Sequence, residues 1–586
     1  MQIAKCKLQI GHATRHRLVA TLLVVTLGLP AHAAGPRDDL LRLVPEDVGF
    51  CLVIQDLRGH SEAILRSPFI KKWWESPIGK AIANAPEQKK LAEFESQIKE
   101  GLGVTFAQLR DDIFGDAIIF AYRPGGPGKE NQEMGLILVH ARDAKLLADI
   151  SSRFNELQKQ SGDLKDVLER EYQGVKYQRR VERHTQNYAY LHGSLLAFST
   201  NEAMIQQVID LERQPPKESA ILGHLRRLGA DQGLAALWVN PRAFDAAFEQ
   251  KAKQLHGAEA SIQQAVQSHW KAVDGVALSA KVKESEIDLA LAVSAKTDAL
   301  PAPTRAAFTG EAKPSDVWRG IPDNALLAIG GRFDAAAWND FLSSLLPEEQ
   351  RKAVREVARK FAGPALGKNS ATDVLPLLGP DWGVCVLTPR PGDKGWFPHT
   401  IWALRIQPGG IDRALLNALN SLALLAVFAY NGSHPDQMTF HALDKMEGGY
   451  LSNETEFPPG FQPAFTLKDG FLILATSPNA IARFNLPSAK GTTDRQGDAS
   501  NREIPLLRIS LRDLSQYLST YQNALVDHIA KKNQVPKTDA TSKLEALSQL
   551  CQLFNHIELV ERSNSGLMTL TLRIQTAVQL STSTQR

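Results

Sequence analysis

The run from His184 to His192 holds the side chains best suited to bind a metal ion or a polar ligand. Two histidines and two tyrosines recur there at even spacing, so an unbroken strand would place them on one face. Asn187 favours a turn instead, which would bring His184 close to Tyr190 across a hairpin. No acidic residue or third histidine stands at ligand spacing. The pattern favours a partly exposed sheet face, with His184 and Tyr190 as candidate ligand-binding residues and no metal.

Acid–base and nucleophilic chemistry have weaker support in the sequence. Asp111, Asp112 and Asp116 form an acidic cluster, but aspartate between a loop and a strand is typical of turns and caps. The glycine-rich run 124–129 lacks the spacing of a phosphate-binding loop and precedes a strand, which indicates a hairpin loop. No GxSxG, HExxH or CxxC motif is present, and no Ser-His-Asp set can be assembled from motifs. We therefore expect no catalytic residue and no cofactor.

Length and charge set the broad class of the protein. The chain has 586 residues, too many for one ordinary core. Residues 1–33 predict a cleaved secretory signal, with a basic start, an apolar stretch and a small-residue cleavage site after Ala33. Its four basic residues leave 63 of the chain's 67 against 64 acidic ones. We expect a periplasmic or secreted protein without a nucleic-acid partner, because the mature chain is nearly neutral.

Three cysteines follow the signal, namely Cys51, Cys385 and Cys551. The first two lie inside apolar, strand-like runs, which indicates buried small hydrophobic residues. The spacing leaves room for one disulfide but matches neither a disulfide framework nor a zinc site.

An internal repeat dominates the organisation of the chain. The segment from Val44 to Asp47 precedes an apolar strand, and so does the segment from Ile321 to Asn324, 277 positions later. Further blocks recur in the same order at similar offsets. We predict copy A at 43–297, a linker at 298–320, copy B at 321–577 and a tail at 578–586.

Alternating apolar and polar residues predict the fold class. Leu289, Leu291 and Val293 alternate with smaller or polar residues, as do Leu570 and Leu572 in the second copy. This period of two is typical of antiparallel sheet with one face covered. We predict an α+β protein with two tandem copies of a domain, each with mainly antiparallel sheet and helices packed on it.

The two copies differ at one helix. The segment from Leu415 to Tyr430 is predicted to be helical, and its part from Leu422 onwards has no polar break. This run is too short to span a membrane, and we expect no transmembrane segment in the mature chain. One interpretation is a helix buried between the copies. The other is an apolar groove or a membrane contact, with Leu425 and Phe428 as candidate binding residues.

The pattern resembles a family of exported bacterial proteins known only as a domain of unknown function. The residues that carry the resemblance are Val44-Pro45 with Asp47, Phe114-Gly115-Asp116, and the strand pair from Tyr188 to Ser199 that leads into a helix at Asn201. The resemblance implies the architecture and brings no catalytic residue.

The sequence thus predicts an exported, non-catalytic protein that binds a partner or an apolar ligand. Two alternatives are a hydrolase with an unrecognised site near His184 and Asp116, and a structural protein of the cell envelope.

Overall fold

The computed structural model describes residues 35–577 except 127–131, 254–257, 310–311, 346–351, 353–355, 357–373, 394, 408–410, 445 and 487–502. The predicted signal, the tail and part of the glycine-rich run 124–129 lie outside the described residues.

The strands join into one 20-stranded sheet. Every described strand pairing is antiparallel, which confirms the α+β prediction with mainly antiparallel sheet. The strands are β1 Phe50–Gln55, β2 Ala117–Arg123, β3 Met134–His140, β4 Leu164–Tyr172, β5 Val175–Glu182, β6 Gln186–His192, β7 Leu195–Ser199, β8 Ala235–Val239, β9 Val273–Val282, β10 Glu286–Ala295, β11 Leu327–Arg332, β12 Leu378–Leu387, β13 His399–Ile406, β14 Thr439–Ala442, β15 Gly448–Ser452, β16 Ala464–Lys468, β17 Phe471–Ala475, β18 Ile504–Ser510, β19 Phe554–Asn564 and β20 Leu567–Thr576.

The α-helices pack on this sheet or on one another. They are Pro36–Leu41, Leu57–Arg66, Pro68–Glu75, Pro77–Ala83, Pro86–Leu102, Phe106–Gln108, Ala144–Gln160, Glu202–Arg213, Ala220–Arg227, Asp245–Ala252, Ala258–Ala272, Ala302–Arg305, Val317–Gly320, Ala335–Leu345, Asp412–Asn431, Pro478–Arg483, Leu511–Thr520, Gln522–Asn533 and Lys537–Cys551. Many begin at a proline or behind a capping side chain. Asn201, for example, accepts a hydrogen bond from the Ala203 N–H and so satisfies a donor of the first turn.

The spatial order of the strands follows from their pairings. From one end to the other it runs β4-β5-β6-β7-β3-β2-β1-β8-β9-β10 and continues β20-β19-β18-β11-β12-β13-β17-β16-β15-β14. The seam between β10 and β20 joins the N-terminal and C-terminal halves of the chain. Ten strands lie on each side of that seam.

Alternation along the strands decides which face is core. In β1, Cys51 and Val53 are buried while Leu52 is half-buried, and β12 alternates over its whole length. The buried face of the N-terminal half packs against the helices Pro36–Leu41, Glu202–Arg213 and Ala220–Arg227. The same alternation leaves the side chains of the other face half-buried or exposed along the middle of the sheet.

All three cysteines of the described chain are buried and unpaired. Burial raises the pKa of Cys51 and of Cys385 to about 12. Both act as small hydrophobic residues, as the apolar runs around them indicate.

The stretch predicted as a linker is packed rather than loose. Leu300 and Phe308 are buried with Ala272 and Ala295, and Met568 of β20 packs against the same cluster. The proline-rich composition indicated a connection, but it does not reveal that the connection buries apolar side chains.

Candidate apolar binding site

The apolar helix (Asp412–Asn431) is longer than the sequence indicated. It has 20 residues and ends at Gly432, where the Asn431 side chain bonds both backbone groups of Met438. Its buried stripe contains Leu416 and Ala423, which pack on Phe465 and its neighbours in the outermost strands. With the half-buried Leu415 and Leu419 beside it, this stripe holds the helix on the sheet.

Most of the remaining side chains in the C-terminal half of this helix face outward. Leu422, Leu424, Leu425 and Phe428 are 60%, 54%, 63% and 81% exposed. A helix buried between the two halves was therefore the wrong interpretation. The apolar helix contacts β14, β15 and β16, which lie at one end of the sheet, far from the β10–β20 seam at its middle.

The length of the apolar helix bears on the expectation that the mature chain has no transmembrane segment. By length and composition, it is the one helix of the described chain that is long and apolar enough to cross a membrane, and little of it is buried. The run from Leu422 to Tyr430 alone, on which the expectation rested, is shorter than a bilayer requires.

A groove of about 500 Å³ lies between the apolar helix and the sheet. Its volume falls within the range of small-molecule sites, roughly 300–1,000 Å³. The described residues that line it carry no charge, and their two hydroxyls belong to Thr400 and Thr476. The Thr476 hydroxyl already donates to the Pro398 carbonyl and accepts from the Thr400 N–H. The larger side chains of the lining include Phe397, Trp402, Leu419, Leu422, Phe461 and Phe465.

Trp402 is one of the groove residues that were not predicted from the sequence. It is 54% exposed on β13, between the buried Ile401 and Ala403. The alternation in His399–Ile406 marks it as facing away from the core. Leu425 and Phe428, which were predicted, lie on the outer side of the apolar helix and do not line the groove.

The structure separates the two polar candidates. His184 lies in the exposed turn between β5 and β6, whereas Tyr190 is buried in β6. The predicted turn at Asn187 is wrong, because Asn187 pairs with Arg180 inside the ladder and is itself buried. Strand pairing outweighs the turn preference of asparagine here, and His184 is not brought to Tyr190.

Tyr190 has another partner. Its hydroxyl donates to Glu212, and the His192 Nδ1 lies 2.8 Å from the same carboxylate. Burial, followed by the contact with Glu212, raises the pKa of Tyr190. His192 and Glu212 border a cavity of about 370 Å³ whose lining includes His140. Among the described residues, no group of three histidine, cysteine or acidic side chains could hold a metal ion.

Two members of the acidic cluster, Asp111 and Asp116, lie beside local partners. Asp111 pairs with Arg110 through two hydrogen bonds of 2.6 and 2.7 Å, and the hydrogen bond from Arg110 lowers the pKa of Asp111. An Asp116 oxygen lies 3.5 Å from His140 Nδ1.

One hydrogen-bonded Ser-His-Asp set exists that no sequence motif revealed. His399 Nε2 lies 2.9 Å from Asp393, and Ser477 Oγ lies 2.8 Å from His399 Nδ1. His399 is 2% exposed and Ser477 4%. Ser477 also caps the helix Pro478–Arg483 by accepting from the Ala480 N–H. A nucleophile must meet its substrate, so the burial of this set favours a role in positioning the helix.

Comparison with known proteins gives a family but no activity. A family described as "Protein of unknown function (DUF3352)" matches residues 71–422. The solved structures that resemble the chain include crystal forms IV, III and I of TP0453. They are 10% identical, cover 43–44% of this chain and 78–79% of that one, and have TM-scores of 0.21 to 0.23. At these scores they carry no argument. No curated protein matches the chain.

Proposed function

The chain belongs to the family of proteins of unknown function DUF3352, and we propose that it is a non-catalytic protein that binds the hydrocarbon chain of a lipid. The observation that carries this proposal is the uncharged groove of about 500 Å³ beside an exposed apolar helix. Burial of hydrocarbon in such a groove stabilises a complex by about 0.8 kcal/mol for each methylene group.

The chemistry of the lining selects the ligand. Thr400 and Thr476 supply its hydroxyls, and the Thr476 hydroxyl is already hydrogen-bonded to protein groups. A charged or strongly polar ligand would lose its hydration and find, among the described side chains of the lining, little more than the Thr400 hydroxyl as a partner. A hydrocarbon chain makes no hydrogen bonds to water, so it has none to lose when it enters the groove.

The outer side of the apolar helix extends the same chemistry. Leu425 and Phe428 project where an ordinary soluble surface carries polar groups, and contiguous exposed apolar surface marks an interaction site. We propose that this side contacts the lipid surface from which the groove takes its chain. Hydrophobic residues on one side of a helix suit a position in the interface plane of a bilayer.

A tandem duplication is part of the proposal. The strand order of the N-terminal half, β4-β5-β6-β7-β3-β2-β1-β8-β9-β10, recurs in the C-terminal half with every number raised by ten. At the seam, Leu289 pairs with Leu572 and Leu291 with Leu570. Such reciprocal pairing is what two copies related by a twofold axis produce. Copies at 43–297 and 321–577 account for this arrangement.

Export is also proposed. The support is the basic, apolar and small-residue sequence of residues 1–33, with cleavage after Ala33. The protein would then act in the periplasm or outside the cell, in contact with envelope lipids.

The test is a titration of the chain from residue 34 onwards with a fluorescent 16-carbon fatty acid. Leu422 lines the groove, and Leu424 is similarly exposed on the same helix but does not line it. We expect Leu422→Asp to weaken binding at least tenfold and Leu424→Asp, the matched control, to change it less than twofold. Equal affinities in the two variants and the unaltered chain would refute the groove as the site.

A second candidate function is hydrolysis, which the hydrogen bonds among Asp393, His399 and Ser477 favour. The burial of Ser477 argues against it. Esterase assays and a serine-reactive fluorophosphonate decide between the two functions. Labelling that Ser477→Ala abolishes would establish a nucleophile.

A further inference from the structure

We propose that the sheet carries a continuous apolar track that holds the hydrocarbon chains of several lipids in succession, with the groove at one end. The inference rests on the proposed function and extends it from one bound chain to a series. The observation behind it is the register of the strands, which aligns apolar side chains of one face across both halves of the chain.

In the N-terminal half, directly paired residues form an unbroken apolar row. It crosses β3, β2, β1, β8, β9 and β10 in that order. The members of the row are Ile137, Phe120, Leu52, Leu237, Leu278 and Leu291.

In the C-terminal half, a second row begins beside the first. Leu289 lies two residues from Leu291 on the same face of β10, so the two rows adjoin at the seam. The second row ends at Trp402, which also lines the groove. Between these ends it contains Leu572, Leu559, Leu507, Ile329 and Val384.

Some members of the two rows are exposed, and the others are half-buried. Phe120 and Ile137 are 37% and 36% exposed, and Leu278 and Leu289 near the seam are 48% and 44% exposed. Core side chains of a sheet face would be covered, as Cys51 and Val53 on the opposite face are. These four side chains therefore present apolar surface to whatever occupies the space above the sheet.

At the β10–β20 seam, apolar side chains lie on the exposed face of the sheet and charged side chains lie on the more buried face. The face opposite the row carries Asp288 and Arg573, which form an ion pair of 3.4 Å, together with Thr571. The charged pair is largely covered and has its partner within the protein, whereas Leu289 on the other face is exposed, so the apolar face is the one that needs a partner. The strands of the row are paired on both sides, which leaves no free edge for an added strand. The ligand must consequently be recognised through side chains alone, as a hydrocarbon chain is.

The length of the track sets how many chains it holds. From β3 to β13 the two rows together cross twelve strands. At about 4.8 Å for each step between neighbouring strands, the track is roughly 50 Å long. A lipid chain that fills one leaflet spans about 15 Å, half of a hydrocarbon core of about 30 Å. About three chains therefore fit end to end, one of them at the groove.

The experiment loads the chain from residue 34 onwards with a diazirine-bearing palmitate. Native mass spectrometry counts the bound molecules, and peptide mapping locates the cross-links after irradiation. We expect about three bound molecules, with cross-links on β9, β10 and β20 as well as at the groove. One bound molecule and no cross-links on those strands would overturn the track while the groove, and with it the proposed function, stands.

A variant pair tests the seam directly. Leu289→Asp places a charge in the track, and Thr571→Asp places the same charge on the polar face of the adjoining strand. We expect Leu289→Asp to remove at least one bound molecule and leave affinity at the groove within twofold, and Thr571→Asp to change neither. Equal loading of both variants would refute the track. If Leu289→Asp does not fold, cross-linking of the unaltered chain decides whether the track binds lipid. If the unaltered chain binds lipid along the track but not at the groove, only the proposed function is refuted.

Discussion

The outward side of the apolar helix provides the sharpest quantitative prediction. Replacement of Leu425 and Phe428 by alanine removes two side chains that are 63% and 81% exposed. Because they make little contact within the protein, we expect the free energy of unfolding to change by less than about 0.5 kcal/mol. Full burial of a leucine or phenylalanine side chain stabilises by roughly 1.5–3 kcal/mol. The exposed fractions leave about 2–4 kcal/mol in total for contact with lipid.

Loss of that free energy corresponds to a fall of roughly 30- to 700-fold in the vesicle partition coefficient. The assay is flotation with vesicles of phosphatidylcholine, which carry no net charge and so report apolar contact. The matched control is Leu65→Ala with Phe94→Ala, whose side chains are 59% and 52% exposed on other helices. We expect the control to partition like the unaltered chain. A fall of less than threefold in the Leu425 and Phe428 variant, or an equal fall in the control, would refute the reasoning.

Three further predictions concern buried groups. His399→Ala leaves Ser477 and Asp393 without the imidazole between them, and we expect urea unfolding to report that the free energy of unfolding falls by about 2–4 kcal/mol. For Ser477→Ala we expect a fall of about 1–2 kcal/mol. Burial raises the pKa of Glu561, so its carboxylate opposes folding once the pH has risen above both its unfolded and its folded pKa. Stability should therefore rise as the pH falls through the folded pKa, and thermal unfolding of Glu561→Gln should show higher stability at pH 7 and lack that rise. Cys51 and Cys385 should resist a maleimide reagent in the folded protein and react in urea, because burial raises the pKa of each to about 12; rapid labelling of the folded chain would contradict this.

The fold class was predictable because alternation is a local signal. The alternation from Ile287 to Val293 marks a strand whatever surrounds it, and β10 is found there. The joining of β10 to β20 is not local, since Leu289 and Leu572 are far apart in sequence. Neither strand contains a sequence pattern that specifies that its edge will pair with the other strand.

The candidate site was predicted in part for the same reason. The sequence identifies the apolar run that contains Leu425 and Phe428, but exposure depends on where the helix lies on the sheet. Trp402 becomes a groove residue only because the apolar helix crosses beside it. The contact between His399 and Ser477 joins residues 78 positions apart, and neither residue stands in a motif.

The turn before β6 illustrates a different limit. Asn187 has a strong turn preference, yet it is buried in the ladder opposite Arg180. The chain reverses instead around His184, where the three residues 183–185 separate the strands. A local preference of this kind is small beside the hydrogen bonds and burial that strand pairing provides.

Comparison of two helices shows that the apolar surface is not a requirement of the fold. The helix Ala144–Gln160 also packs through a narrow stripe, with Leu147 buried against Val139 and its neighbours. Its exposed side includes Lys145, Asp149 and Arg153. A helix can therefore be held on this sheet by its stripe while charged residues cover the rest. The leucines and the phenylalanine on the outward side of the apolar helix are consequently not explained by packing, and contact with something apolar remains as their physical reason.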